Sequence, residues 1–212
     1  MVVFDMDNTL LQGRFIDTCA KKYNFKQALD LLRNIDKNSI SFAKRVGSFL
    51  QGKPIQELTC IVDDIPMTRD ILDVTKQLKD RGYTIGIITD CYQVIASHIG
   101  NRIGADFCIS YELEHVDDVA TGQVSIPPMF YYSEKSSCDH PVCKTNALRH
   151  LCDKHQVLME NMIAIGGSDN DLCMLRHAGV GVAFCTSSEI LRNVARKNIT
   201  QPLFHELLDV AP

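Results

Sequence analysis

Two aspartates separated by one residue close the first apolar segment of the chain. The segment VVFDMDNTL at residues 2–10 begins with apolar residues and contains Asp5 and Asp7. In a buried strand both carboxylates would lie on one side, because side chains alternate between the two faces. Carboxylates held so close repel each other, and a bound divalent cation relieves the repulsion. Oxygen ligands beside a phosphate favour Mg²⁺, although the pair alone equally fits two solvated acids.

Three later segments add a hydroxyl group, a cation and an acidic cluster. YTIGIITD ends in Thr89 and Asp90, Lys144 precedes a helical pattern, and NMIAIGGSDND supplies Asp169 and Asp171. The first and last of these segments are apolar runs that end in polar residues, as buried strands do. The carboxyl ends of parallel strands meet at one edge of a sheet, so we expect these groups to surround one site.

Strand patterns alternate with helical patterns along most of the chain. Predicted strands at residues 83–90, 161–169 and 180–184 follow the first one, with amphipathic helices between them. This order predicts right-handed crossovers and a doubly wound parallel α/β sheet. Residues 13–66 contain only short helical patterns, which predicts a helical insertion, and residues 110–126 predict a hairpin or an extended flap.

The order of acid pair, hydroxyl, cation and acidic cluster resembles the four motifs of the haloacid dehalogenase superfamily of phosphohydrolases. GVGVAF, ELEHVDDVATGQV and the helical insertion look like the phosphoserine-phosphatase branch, so the resemblance covers nearly the whole chain. It implies a Rossmann-like catalytic core formed by residues 1–12 and 67–212. Residues 13–66 would form a small helical cap domain that closes over the active site.

The resemblance also implies a mechanism. Asp5 would attack the substrate phosphorus and become an aspartyl phosphate, while Asp7 protonates the leaving alkoxide and later activates water. Thr89 and Lys144 would hold the phosphoryl oxygens. The Asp5 carboxylate, the Asp7 main-chain carbonyl and the last acidic cluster would bind Mg²⁺. The implied activity is hydrolysis of a small-molecule phosphate ester, since dehalogenases of the family lack an acid at the position of Asp7.

The last motif departs from the family pattern at Gly167, which stands where these phosphatases have a metal-binding Asp. The magnesium site would then use Asp169 or Asp171, directly or through water, or bind the ion weakly. A catalytically weakened phosphate-binding or scaffolding protein therefore stays open as an alternative. A phosphotransferase that uses the same aspartyl phosphate is a further alternative.

Three residues are candidates for substrate binding. Arg45 occupies the place of the cap Arg that binds the phosphoserine carboxylate, but Arg14 falls where the family has a Glu for the amine. An arginine there would repel an ammonium group, so we expect a phosphate ester with another anionic or polyhydroxyl part rather than phosphoserine. Solvated cap surface is the alternative for both arginines. Asp90 is the third candidate, although its position before the next helix favours a role as the cap of that helix.

The segment SEKSSCDHPVCK at residues 133–144 contains three side chains of types that bind zinc. These are Cys138, His140 and Cys143, which lie just before Lys144. A structural zinc site needs four ligands, and the segment supplies three of them. We therefore expect a loop with incidental thiols here rather than a zinc site.

Composition limits the partners and the compartment. The formal net charge is -4 and the chain has no run of Lys or Arg, which argues against a nucleic-acid partner. No apolar run approaches the ~20 residues that span a bilayer, and the amino terminus lacks the pattern of a secretory signal, so no membrane association is expected. The nine cysteines predict reduced thiols in the cytoplasm. Self-association as a homodimer is left open.

Overall fold

A computed structural model describes residues 1–211 and shows a mixed sheet with helices around it. The strands are β1 (Val2–Phe4), β2 (Ile85–Tyr92), β3 (Phe107–Val116), β4 (Val119–Ser125), β5 (Ile163–Gly166), β6 (Val180–Phe184) and β7 (Lys197–Ile199). Their order across the sheet is β4-β3-β2-β1-β5-β6-β7. Neighbouring strands are parallel except β3 and β4, which pair antiparallel at the edge.

Nine α-helices surround this sheet within residues 1–211. They are α1 (Phe15–Lys22), α2 (Lys26–Ile35), α3 (Ser39–Ser48), α4 (Ile55–Asp63), α5 (Ile71–Asp80), α6 (Gln93–Ile103), α7 (Lys144–His155), α8 (Leu172–His177) and α9 (Glu189–Val194). None of the described helices combines the length and the apolarity needed to cross a bilayer.

The first strand lies at the centre of the sheet and fixes the position of the acid pair. Val2 is in register with Ile85 of β2 on one side and Ile163 of β5 on the other, and the side chains of β1 are completely buried. The strand order reverses at β1, since the chain proceeds to β2 on one side and returns to β5 on the other. Such a reversal leaves a crevice beyond the carboxyl ends of the strands, where Asp5 lies. The doubly wound α/β prediction is confirmed.

The insertion after β1 is helical, as predicted, and consists of α1–α4. Phe15, Cys19 and Leu58 belong to the same hydrophobic cluster as the central strands. A separate cluster inside the insertion is small and consists of Ala20, Leu29, Leu32 and Val46. The insertion therefore packs directly on the core, and the domain boundaries at residues 13 and 66 stay a prediction.

The predicted hairpin is formed by β3 and β4, and it anchors the insertion to the sheet. Asp117 and Asp118 form the two-residue turn with φ of 48° and 60°, the left-handed geometry that matches the twist of paired strands. The segment between α3 and α4 bonds to β4, because Gly52 N donates to Ala120 O at 2.8 Å and Ile55 N donates to Asp118 O at 2.8 Å. The hairpin and the insertion are thus linked through their backbones.

Candidate active site

A lysine ammonium joins two carboxylates at the centre of the crevice. Lys144 Nζ donates to Asp5 Oδ1 at 2.6 Å and to Asp171 Oδ1 at 2.7 Å. The three side chains are between 0% and 4% exposed. Asp5 follows β1, Lys144 begins α7, and Asp171 precedes α8, so three distant segments meet at one ammonium group.

The charges of this group do not balance. Burial raises the pKa of Asp5 well above its ordinary value, and the Asp171 carboxylate raises it further while the Lys144 ammonium opposes the rise. Burial alone would lower the pKa of Lys144, but the Asp171 and Asp5 carboxylates outweigh burial and raise it well above its ordinary value. Lys144 therefore stays protonated, and one positive charge faces two acids.

Short-range contacts fix both carboxylates. The second Asp171 oxygen, Oδ2, accepts a hydrogen bond from Ser168 N at 2.9 Å, within a capping box that these two residues form. The second Asp5 oxygen accepts from the Thr9 hydroxyl at 3.3 Å. A Cβ on Gly166 would overlap the Asp171 carboxylate, so glycine is required there for close approach. The sequence did not point to Thr9 or Ser168 as site residues.

Asp7 has a different environment from Asp5. Its Oδ1 accepts a hydrogen bond from Phe15 N at 2.9 Å, at the start of α1. Burial raises the pKa of Asp7 to about 7, although the Phe15 hydrogen bond opposes the rise. A carboxyl group with this pKa can both give and take a proton near neutral pH.

Both aspartates face a cavity of about 180 Å³ between the insertion and the sheet. Arg14 and Asp90, two of the residues predicted to bind substrate, line the same cavity. The other polar side chains on its wall include Arg33, Ser39 and Asn170. The apolar part of the wall includes Phe15, Ile16, Phe42 and Val46. A site that combines acids, arginines and an apolar wall suits a small charged molecule.

Thr89 and Asp90 lie at the end of β2 but have different contacts. Thr89 is completely buried, and its hydroxyl accepts a hydrogen bond from Cys91 N at 3.2 Å. Asp90 is exposed and accepts from Asn170 Nδ2 at 2.9 Å. The alternative that Asp90 caps the next helix is wrong, because α6 has Tyr92 as its N-cap residue and no side-chain cap. Asp90 instead links the strand ends of β2 and β5.

The structure separates the two arginines that were predicted to bind substrate. Arg14 lines the cavity and forms no ion pair within residues 1–211. Arg45 is absent from the described cavity wall; its guanidinium pairs with Asp36 at 3.4 Å on the exposed side of α3. Arg33 of α2 lies on the wall instead, where it pairs with Asp17 at 2.6 Å. Its position on a helix face could not be read from spacing within the family motifs.

The acidic cluster that was predicted to bind metal is divided between two places. Asp171 is buried against Lys144, whereas Asp169 is exposed and lines a neighbouring cavity of about 810 Å³ together with Gly167. Within residues 1–211, no three site carboxylates place oxygen atoms within 4.8 Å of one another. Mg²⁺ commonly binds to one or two carboxylates and several waters, so the donor set around Asp5 still fits this ion although the acids are divided.

Gly167 is packed against main-chain atoms. A Cβ at this position would lie 2.7 Å from the Phe184 carbonyl oxygen and 3.2 Å from the Asn8 carbonyl oxygen. Glycine therefore allows the loop after β5 to approach the end of β6 and the loop after β1. A larger side chain would force one of these main-chain segments to move.

Comparison with known proteins agrees with the geometry. A family model described as haloacid dehalogenase-like hydrolase matches residues 2–176. A phosphoserine phosphatase of Archaeoglobus fulgidus is 25% identical over 205 residues, covering 95% of this chain and 56% of the relative. Phosphoserine phosphatase SerB2 of Mycobacterium tuberculosis is 28% identical over 213 residues, covering 98% of this chain and 49% of the relative. The chain thus spans about half the length of these two relatives.

A solved structure shares the fold along its whole length. It is a phospho-aspartyl intermediate analogue of phosphoserine phosphatase, with a TM-score of 0.81 and 23% sequence identity. The superposition covers 99% of this chain and 97% of the other. The mixed sheet with its helical insertion is therefore the architecture of that structure.

The raised pKa of Asp7 predicts a pH-dependent effect of Asp7→Asn on stability. Wild type binds the Asp7 proton more tightly when folded, so it loses stability as pH rises from the ordinary value of 3.8 to about 7. Asn cannot ionise and can still accept from Phe15 N. We expect the variant to gain stability relative to wild type across this range, by at most about 4 kcal/mol.

Urea unfolding at about pH 5 and about pH 8, in chelator, measures this difference. Asp80→Asn on the exposed end of α5 is the control, and its effect should be the same at both pH values. A pH-independent effect of Asp7→Asn would show that the Asp7 carboxyl is not perturbed.

Lys144→Met tests whether the ammonium holds the site together. The variant keeps the apolar stem but leaves Asp5 and Asp171 buried and facing each other. We expect it to lower the free energy of unfolding by about 3–5 kcal/mol near neutral pH, since an unpaired buried charge is left behind. Adding Asp171→Asn should recover part of the loss. Lys154→Met, at an exposed position of the same helix, is the matched control, and an equal loss in both would contradict the interpretation.

Proposed function

Because this chain belongs to the haloacid dehalogenase-like hydrolases, we propose that it is a phosphomonoester hydrolase in which Asp5 is the nucleophile. The observation that carries the proposal is that Asp5, which Lys144 joins to Asp171, lines the same cavity as Asp7. An oriented carboxylate, a fixed cation and a second acid of suitable pKa are the parts that this chemistry needs.

The proposed first step forms a bond between an Asp5 oxygen and the substrate phosphorus. The bond from phosphorus to the ester oxygen breaks, and the leaving alkoxide takes a proton from Asp7. In the second step a water oxygen attacks the phosphorus of the aspartyl phosphate and gives a proton to Asp7. The bond from phosphorus to Asp5 breaks, so phosphate is released and both aspartates return to their starting states.

Asp7 suits both halves of this cycle because of its pKa of about 7. Near neutral pH the group is present in both protonation states, and proton transfer in each direction costs little. The Phe15 N–H holds one Asp7 oxygen, which leaves the other free to face the cavity. Lys144 keeps Asp5 oriented, and we propose that Lys144 and Thr89 also contact phosphoryl oxygens.

We propose Mg²⁺ as the cofactor, held by the Asp5 carboxylate and the Asp7 main-chain carbonyl, with Asp169 or Asp171 contributing through water. When bound, the ion would offset the negative charge of the nucleophile and of the phosphate. The donor set supports this, since one ammonium group faces two buried carboxylates. The negative charge of Asp90 also raises the pKa of Asp5. Gly167 provides no side-chain ligand.

The cavity supports a small phosphate ester with a second anionic group as the substrate. Arg14 offers an unpaired guanidinium within the described residues, whereas the charge of Arg33 on the same wall is paired with Asp17. No Glu lines this cavity where Arg14 lies, so we do not expect selectivity for the ammonium group of phosphoserine. A volume of about 180 Å³ excludes large esters unless the insertion moves.

A phosphate-binding protein without turnover is the second candidate, and Gly167 is the observation that favours it. A polyhydroxyl phosphate ester could bind in the same site. The same site could also transfer the phosphoryl group to an acceptor other than water.

We keep the cytoplasm as the proposed compartment, because all nine cysteines lack a disulfide partner and reduced thiols persist where the medium is reducing.

Phosphate release from a panel of esters tests the proposed activity. The panel contains phosphoserine, phosphoglycolate, phosphoglycerate, glycerol phosphate and an aryl phosphate, each with and without Mg²⁺. We expect turnover that requires Mg²⁺ and is greatest with phosphoglycolate or phosphoglycerate, whose carboxylate is a second anionic group. Asp5→Asn should reduce kcat at least about a thousandfold while the folded protein keeps its melting temperature to within a few degrees. Turnover retained by this variant would rule out Asp5 as the nucleophile.

Substrate selectivity is tested in the same assay with Arg14→Ala and Arg45→Ala. Arg14→Ala should raise KM for the anionic esters about tenfold or more and change KM for the aryl phosphate little. Arg45→Ala is the matched control from the exposed side of α3 and should change neither. Equal effects of Arg14→Ala on all esters would make its role structural.

Gly167→Asp and Gly167→Ala test the metal site as a matched pair. Either side chain must displace the Phe184 or Asn8 main chain, so both variants should lose about 1–3 kcal/mol of stability. Only Asp adds a carboxylate, so only Gly167→Asp should lower the Mg²⁺ concentration for half-maximal turnover. The same Mg²⁺ requirement in both variants would place residue 167 away from the ion, and activity only in the Asp variant would favour the binding-protein alternative.

A further inference from the structure

Four metal-binding side chains converge outside the proposed catalytic group. Cys138, His140, Cys143 and Cys173 each place one sulfur or nitrogen atom within 4.8 Å of the corresponding atoms of the other three. Three of them belong to the segment before α7, and Cys173 comes from α8. The sequence pattern showed three ligands, and the prediction of incidental thiols rested on the missing fourth. The fold supplies that fourth ligand from another part of the chain.

The distances within the cluster suit a tetrahedral zinc ion. Zinc bonds of about 2.3 Å to sulfur and about 2.0–2.1 Å to nitrogen place neighbouring S and N ligands ~3.6 Å apart at tetrahedral angles. Cys173 Sγ and His140 Nδ1 are 3.5 Å apart. Two sulfur ligands of such a site are ~3.8 Å apart by the same geometry, which is within the observed limit. The separations of the donor atoms are thus compatible with four ligands of one ion.

We propose that Cys138, His140, Cys143 and Cys173 bind one structural Zn²⁺ ion. The ligand set is Cys₃His, which zinc prefers among the common biological metals because three donors are thiolates. Four protein ligands leave no position open for water or substrate, so the ion has a structural role. This inference does not depend on the proposed phosphatase activity.

The site explains how a long irregular segment keeps its position. Residues 131–143 contain neither helix nor strand, and loops of this length in compact proteins are usually functional or flexible. Backbone bonds hold the base of the loop, where Tyr132 N donates to Pro141 O at 3.0 Å and Cys143 N donates to Phe130 O at 2.8 Å. Cys138 and His140 lie beyond this base, and a zinc ion would fasten them to α8.

The ion would join the same two segments that meet in the catalytic group. Cys143 immediately precedes Lys144, and Cys173 lies two residues after Asp171. The two segments are already joined by the ion pair of Lys144 and Asp171 at 2.7 Å. Zinc bound by Cys143 and Cys173 would therefore restrain the start of α7 and the start of α8 relative to each other.

Elemental analysis of the full chain, purified under reducing conditions without chelator or a histidine tag, tests this site. We expect one zinc ion per chain in wild type and in Asp5→Asn, which removes a carboxylate of the proposed magnesium site. Cys138→Ser and Cys173→Ser should lose most of the zinc. Cys60→Ser, an exposed cysteine on α4, is the matched control and should retain it.

Cobalt substitution and thiol modification complete the test. Co²⁺ in the wild-type protein should give the visible absorption of a tetrahedral ion together with thiolate charge-transfer bands, and these bands should be lost in Cys173→Ser. If that variant does not fold, titration of wild-type thiols with a mercurial should release zinc in step with modification. Three outcomes would overturn the proposal. They are wild-type protein that stays free of zinc after reconstitution, an unchanged zinc content in both cysteine variants, and a disulfide among these cysteines in protein kept under reducing conditions.

Discussion

The ammonium group of Lys144 is the feature on which the site and much of the fold depend. It neutralises part of the charge that Asp5, after β1, and Asp171, in the loop after β5, bring into the interior. The same group holds the amino end of α7 against the centre of the sheet. Lys144 therefore contributes both to local stability and to the proposed chemistry.

The sequence predicted those parts of the structure that depend on strand order. Parallel strands align their carboxyl ends, so the sequence predicted that Asp5, Lys144 and Asp171 lie close together. The β3–β4 hairpin and the bounds of β6 followed from local patterns in the same way. The short strand β7 has only three residues and no distinct pattern, so it was not predicted.

Contacts that depend on the direction of a side chain could not be predicted from the sequence. Arg33 and Arg45 both lie on helices of the insertion, but the faces of α2 and α3 that meet the cavity decide which of them lines it. Asp90 could accept a hydrogen bond from the next helix or from another loop, and packing brings Asn170 Nδ2 close enough to donate to it. Cys173 lies inside a helical motif that explains it as a packing residue, so nothing local connected it with Cys138.

Gly167 limits how the loop after β5 can change by mutation. Aspartate and glycine codons differ by one nucleotide, so a single substitution can exchange the two residues. A Cβ at this position would lie 2.7 Å from the Phe184 carbonyl oxygen, so such a substitution must move main-chain atoms of β6 or of the loop after β1. An aspartate here is therefore compatible with this packing only together with changes in those neighbouring segments.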